Sequence, residues 1–141
     1  MHKCGNVTWR SCKNRRWRYS YDGTTQYNVR LVEIDAPASD QLYGQRSKKV
    51  LTSLIIQENI SVNVSGYDRY RRVLGRVYVA DLNVNRQMVR VGAAWVYLQY
   101  MTDRGLLDDE SAAKKEKIGV WSLPAGEQMA PWEWRFIARD R

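Results

Sequence analysis

No apolar run in the 141-residue sequence approaches the roughly 18 residues of a membrane-spanning helix, so no membrane anchor is expected. Cysteine and histidine are scarce as well. Cys4, Cys12 and His2 do not complete a four-ligand zinc site, which excludes a metal centre of that kind at the N-terminus. A Cys4–Cys12 disulfide would close only a small loop, and two free thiols in a reducing compartment are the expected state. The N-terminus is basic but lacks the apolar core of a signal peptide, so the cytoplasm is the default location. Internal repeats, linkers and a second domain are also missing from the pattern. The most informative gap concerns acid: no Asp or Glu occurs between Met1 and Tyr21.

What is present suits one soluble globular domain. Apolar residues make up 44% of the chain and charged residues 27%, enough to bury a single core under an ordinary polar surface. The net charge of +8 is unevenly spread: residues 1–29 carry six Lys/Arg against Asp22 alone, and the remaining 112 residues carry only +3. The run KNRRWR at 13–18 reads as part of an exposed basic arm over 1–16, followed by a domain over 17–141. Such an arm suits a polyanion, of which nucleic acid is the commonest, although charge alone is equally compatible with a solvated surface.

The stretch RLVEIDAPA at 30–38 organises the rest. Its first half alternates like a strand, and Pro37 stops that strand, leaving Asp35 at its end. Before it, alternating residues from Trp17, a turn at Asp22-Gly23 and a returning run from Tyr27 predict a β-hairpin. After it, Ser39 or Asp40 can cap a helix near 41–57, in which Leu51, Leu54 and Ile55 form the core stripe. Gly44 inside that helix is expected where another backbone comes close. Strands follow at 60–64 and 73–80, separated by a polar turn at 66–72. A second helix is expected after Asn83, with Val84, Met88, Val91 and Trp95 spaced along it, and a third over 106–118. The third has Asp108 and Asp109 in its first turn and Lys114, Lys115 and Lys117 near its end, an order that complements the helix dipole. An extended tail from Val120 ends in PWEWR at 131–135. Trp95 and Trp121 read as core, Trp132 and Trp134 as pins for the tail, and Asn85 as a hydrogen-bonding residue at a helix start.

Taken in order, RLVEIDAP (30–37), YG (43–44), DRYRRVLGRVYV (68–79), VNRQMVRVGAAWVY (84–97), GVWS (119–122) and PWEWR (131–135) resemble the staphylococcal nuclease (thermonuclease) family, most closely its bacterial and plasmid-borne branch. The resemblance implies an α+β fold, a five-stranded OB-type β-barrel with three α-helices, acting on single-stranded DNA or RNA as a monomer. It further implies a Ca2+-dependent phosphodiester hydrolase. Carried over residue by residue, Arg30 and Arg72 match the two arginines that meet charge on phosphorus, and Asp35 matches a metal-ligating aspartate. Arg69, Tyr70 and Tyr100 match positions that touch the nucleotide, and Arg71 stands where glycine is usual.

Two positions depart from that pattern. The general-base glutamate after the proline is Ala38 here, and the acid-free segment before Tyr21 lacks the family's first-strand aspartate. A lost general base typically slows such chemistry by about a hundred- to ten-thousand-fold. Cleavage is therefore expected to be weak or lost, unless Glu33 or Asp40 substitutes. The alternative is an inactive single-strand-binding or protein-interaction barrel. Outside the family reading, Asp35 would be a strand-end cap or an arginine's partner, Arg30 and Arg72 solvated strand arginines, and Tyr70 and Tyr100 packing groups.

Overall fold

Strands whose apolar residues alternate can bury one face, and Ile60 and Val62 on one strand and Val73 and Val77 on its neighbour do so in the computed structural model. The structure describes residues 2–4, 10–11, 17–21, 25–56, 58 and 60–139, with side chains from Asn28 onward except that of Tyr100. The strands are β1 (His2–Cys4), β2 (Arg10–Ser11), β3 (Trp17–Tyr21), β4 (Thr25–Leu31), β5 (Ile34–Asp35), β6 (Ile60–Tyr67), β7 (Val73–Val79), β8 (Leu82–Asn83) and β9 (Trp95–Val96). The helices are α1 (Gly44–Ile55), α2 (Val84–Arg90), α3 (Gly105–Glu116) and α4 (Pro131–Arg139). The fold is α+β, as expected.

The chain divides into two compact units. The first comprises Met1–Val32 with Leu51–Asn85, the second Glu33–Val50 with Arg86–Arg141. In the first, the strands run in the order β1-β6-β7-β4-β3-β2, and β8 pairs with β7. The expected hairpin is β3–β4, antiparallel with Tyr19 opposite Tyr27; its turn at Asp22-Gly23 lies outside the described residues. Strands β4 and β7 are parallel, with Val29 opposite Val73, and β6 and β7 are antiparallel, with Val62 opposite Val77. All four valines are buried, together with Leu51, Ile55 and Ile60. Asn85 is buried too: it accepts from the Val77 N–H at 3.1 Å and donates to the carbonyls of Val32 and Gly75 at 3.1 and 3.3 Å. It is a hydrogen-bonding residue in the first turn of α2, as the sequence suggested, and its bonds tie that turn to the strands.

In the second unit, β5 and β9 pair antiparallel, Ile34 opposite Val96 and Asp35 opposite Trp95. Trp95, Ala113, Val120, Trp121 and Ala130 form its core, with Tyr43, Ile118 and Trp132 against it. The Trp95 and Trp121 rings lie 5.1 Å apart at 60°, and Trp132 meets Tyr97 at 5.4 Å. Gly92 and Gly119 have φ values of +74° and +61°, and their backbones touch so closely that a Cβ on either would lie under 2.5 Å from a carbonyl oxygen.

Several expectations need correction. Five strands were expected; nine strand segments are described, of which β1, β2, β5, β8 and β9 are only two or three residues long. Of the basic arm, His2–Cys4 pairs with Ile60–Val62 and Arg10–Ser11 with Trp17–Arg18; residues 5–9 and 12–16, Cys12 included, lie outside the described residues. The opening strand breaks at Val32-Glu33, where Glu33 takes φ 69°. The polar turn at 66–72 is shorter than expected, because β6 runs on to Tyr67 past an irregularity between Val64 and Gly66. Trp95 belongs to β9 and not to the second helix. The tail after Val120 is not extended: Pro131 opens α4, a fourth helix where three were expected, since proline at a first helical position forfeits no hydrogen bond.

Gly44 stands where the sequence placed it, against a neighbouring backbone. A Cβ there would lie 1.7 Å from the Ala38 carbonyl oxygen. Gly44→Ala is therefore expected to cost about 3 kcal/mol or more and to lower the melting temperature by roughly 10 °C. Thermal unfolding followed by circular dichroism checks this, and an unchanged melting temperature would mean the 38–44 loop is not held against the helix start.

Candidate nucleic-acid interface

The DRYRR segment between β6 and β7 folds around one carboxylate. Asp68 Oδ1 accepts the N–H groups of Tyr70 (2.8 Å) and Arg72 (2.9 Å), and Oδ2 accepts the Arg72 Nε–H at 2.5 Å. The Asp68 N–H donates to the Arg72 carbonyl and the Arg71 N–H to that of Asp68, both at 3.1 Å, closing a tight turn. Arg71 takes φ 60° in this turn, a left-handed conformation that explains why glycine suits the position. The guanidiniums of Arg69 and Arg72 lie 4.9 and 5.5 Å from the centre of the Tyr70 ring. Tyr70 remains 57% exposed. An exposed aromatic face flanked by two guanidiniums can stack on a base and contact its phosphates together.

Arg30 is placed by the β4–β7 register. Val29 and Val73 are opposed on parallel strands and both are buried. Arg30 follows the first within β4, opposite Leu74, and Arg72 precedes the second in the turn that leads into β7. Of the residues singled out in the sequence, the first unit brings Arg69, Tyr70 and Arg72 into contact and holds Arg30 on the strand beside β7.

Partial burial raises the Asp68 carboxyl, but the Arg72 N–H, the Arg72 guanidinium and the Tyr70 N–H together hold it below its ordinary 3.8. A carboxyl lowered on folding stabilises the fold above its unfolded pKa. That contribution is lost as the pH falls through the lowered folded value.

Asp35 and Ala38 belong to the second unit. Asp35 is 4% exposed at the end of β5, and Arg135 of α4 grips it with both guanidinium arms: Nη1 donates to Oδ1 at 3.3 Å and Nη2 to Oδ2. Ala38 is buried in the loop before α1, its N–H donating to Gln41 Oε1 at 3.2 Å and its carbonyl accepting the Gln41 N–H at 2.9 Å. Of the two substitute acids, Asp40 is exposed. Glu33 is buried, its Oε2 accepting the N–H groups of Thr102 (2.6 Å) and Asp103 (2.7 Å) and the Thr102 hydroxyl (3.0 Å). Glu33 therefore secures a loop. The Tyr100 side chain and the first-strand position near Arg16 lie outside the described residues.

Residues 28–123 match the family described as staphylococcal nuclease homologue. The chain belongs to that family. An uncharacterized endonuclease of Escherichia coli is 44% identical over 115 residues, covering 81% of this chain and 74% of that protein. A micrococcal nuclease of Shigella flexneri is 38% identical over 124 residues, covering 79% of this chain and 70% of that protein. An uncharacterized endonuclease of Haemophilus influenzae is 41% identical over 113 residues, covering 80% and 62%. The family match carries with it an OB-fold nuclease domain.

Staphylococcal nuclease homologues generally depend on calcium, an ion that takes six to eight oxygen ligands. The described residues do not fit it. Asp35 is engaged by a guanidinium and Ala38 offers only a methyl group. No group of three or more His, Cys, Asp or Glu side chains among the described residues is placed to hold a metal. Sequence reasoning named Asp35 but missed Arg135, which lies 100 residues away and was read as the end of an extended tail.

Arg72→Ala is expected to weaken single-stranded oligonucleotide binding about tenfold, while the two N–H groups on Asp68 keep the turn closed. Its small stability penalty should be present in full above the ordinary carboxylate pKa and be lost as the pH falls through the lowered folded value and Asp68 protonates. Fluorescence anisotropy and melts across pH check both. A large loss of stability with binding unaffected would make Arg72 a structural residue.

Proposed function

We propose that this chain binds single-stranded DNA or RNA through the face bearing Arg30, Arg69, Tyr70 and Arg72, and that phosphodiester hydrolysis is weak or lost. The carrying observation is the Asp68 turn, which aims Arg72 and sets two guanidiniums beside an exposed tyrosine. Arginine suits this task because its planar fork meets a phosphate through two parallel bonds. The basic segment 1–16 adds charge of the same sign ahead of the OB-type domain. A monomer suffices, since all four residues come from one chain.

The reduced turnover rests on Ala38, which leaves no carboxylate where the family places its base, and on the acid-free segment before Tyr21. A second reading, a working calcium-dependent endonuclease with rearranged catalytic groups, is favoured by the names of the Escherichia coli and Shigella flexneri relatives. Digestion separates the two. With calcium present, the chain should cleave single-stranded DNA slowly or not at all, and Ala38→Glu alone should change the rate by less than about tenfold, because base and metal act as one unit. Rapid calcium-dependent cleavage by the unaltered chain would establish the second reading.

Binding should be micromolar or weaker and salt-sensitive. Three arginine–phosphate contacts imply a slope of log affinity against log salt of about −2. Affinity unchanged between 50 and about 200 mM salt would remove the counterion-release argument.

A further inference from the structure

We propose that Arg135 is the resident counter-cation of Asp35, so that the C-terminal helix α4 closes this carboxylate to divalent metal ions. Asp35 and Arg135 meet through both guanidinium arms, and Asp35 is almost fully withdrawn from water. A carboxylate in that setting needs a cation close by, and a bidentate guanidinium satisfies both its oxygens at once.

The position of Arg135 is not an accident of one long side chain, because α4 is fixed at its start. Pro131 is fully buried, Ala130 belongs to the tryptophan core and Trp132 packs on Tyr97. The Gln41 amide, whose oxygen accepts the Ala38 N–H, donates to the Met129 carbonyl at 2.8 Å. The same glutamine thus joins the loop after Asp35 to the residues that lead into α4. Arg135 follows Trp132 by three residues, so the turn that seats the tryptophan also carries the guanidinium. A metal ion reaching Asp35 has to displace Arg135 and would find no side-chain oxygen at Ala38.

The proposal takes Asp35 as the family's metal position but does not depend on whether the chain cleaves or binds nucleic acid, and its test reads metal occupancy. Terbium(III), an oxygen-seeking cation whose emission is sensitised by nearby tryptophan, is titrated into the full chain, Arg135→Gln and the double variant Asp35→Asn/Arg135→Gln, with calcium as competitor. The unaltered chain should give no saturable emission. Arg135→Gln should bind terbium at least about tenfold more tightly, and the double variant should lose that gain, since calcium-like ions require the carboxylate. Arg135→Gln removes a charged partner from a buried carboxylate and can fail to fold. Arg135→Lys then serves instead, keeping a cation but not the two-armed grip, and a severalfold gain is expected. Saturable, calcium-competed emission from the unaltered chain that Asp35→Asn abolishes would overturn the proposal. So would a folded Arg135→Gln or Arg135→Lys that gains nothing. Loss of oligonucleotide affinity with these results intact would instead count against the functional reading alone.

Discussion

A buried carboxylate must be paired, and in this protein Asp35 is paired from 100 residues away. The pair links the strand end of the IDAP motif to the helix built from PWEWR. Around it the second unit is arranged in layers: the β5–β9 ladder places Asp35 opposite Trp95, Trp95 packs on Trp121, and Ala130 leads from that core into α4. Glu33, two residues earlier, plays a parallel part. Its carboxylate accepts three donors from Thr102-Asp103, and its carbonyl accepts the Tyr97 N–H at 2.8 Å. Two buried acids of one short segment are thus committed to holding later parts of the chain.

The first unit handles charge in the opposite way. Asp68 spends its hydrogen bonds on a turn that carries two arginines and an exposed tyrosine ring. Its acid is subordinate to Arg72, whereas Asp35 is served by an arginine. In a nuclease family this division is informative: Arg69 and Tyr70 lie exposed with Arg72 half-buried beside them, and the carboxylate that the resemblance matched to the metal is enclosed.

Much of this could be read from sequence where one residue type has few physical explanations. Gly44 had to lie against a backbone, and does. Trp95 and Trp121 had to be core, and Arg71 occupies a turn conformation that favours glycine. The hairpin followed from alternation, and the α3 charge order followed from the helix dipole. What sequence could not supply were long-range partners. Nothing in the local pattern of PWEWR assigns Arg135 to Asp35, although the reading of Asp35 as an arginine's partner was open from the start. The helical form of that segment was concealed by its aromatics and by Pro131, which signals a helix start as readily as an interruption. Glu33 looked like one more strand residue because positive φ leaves no mark on a glutamate.

The central claim, that Asp35 belongs to Arg135, is tested most directly by a double-mutant cycle in urea using Asp35→Ala, Arg135→Ala and the pair. If the two form a buried, two-armed ion pair, each single variant loses several kcal/mol, and the double variant loses less than their sum by about 2 kcal/mol or more. Losses that add to within about 0.5 kcal/mol would show that the two residues are independent and would contradict the account.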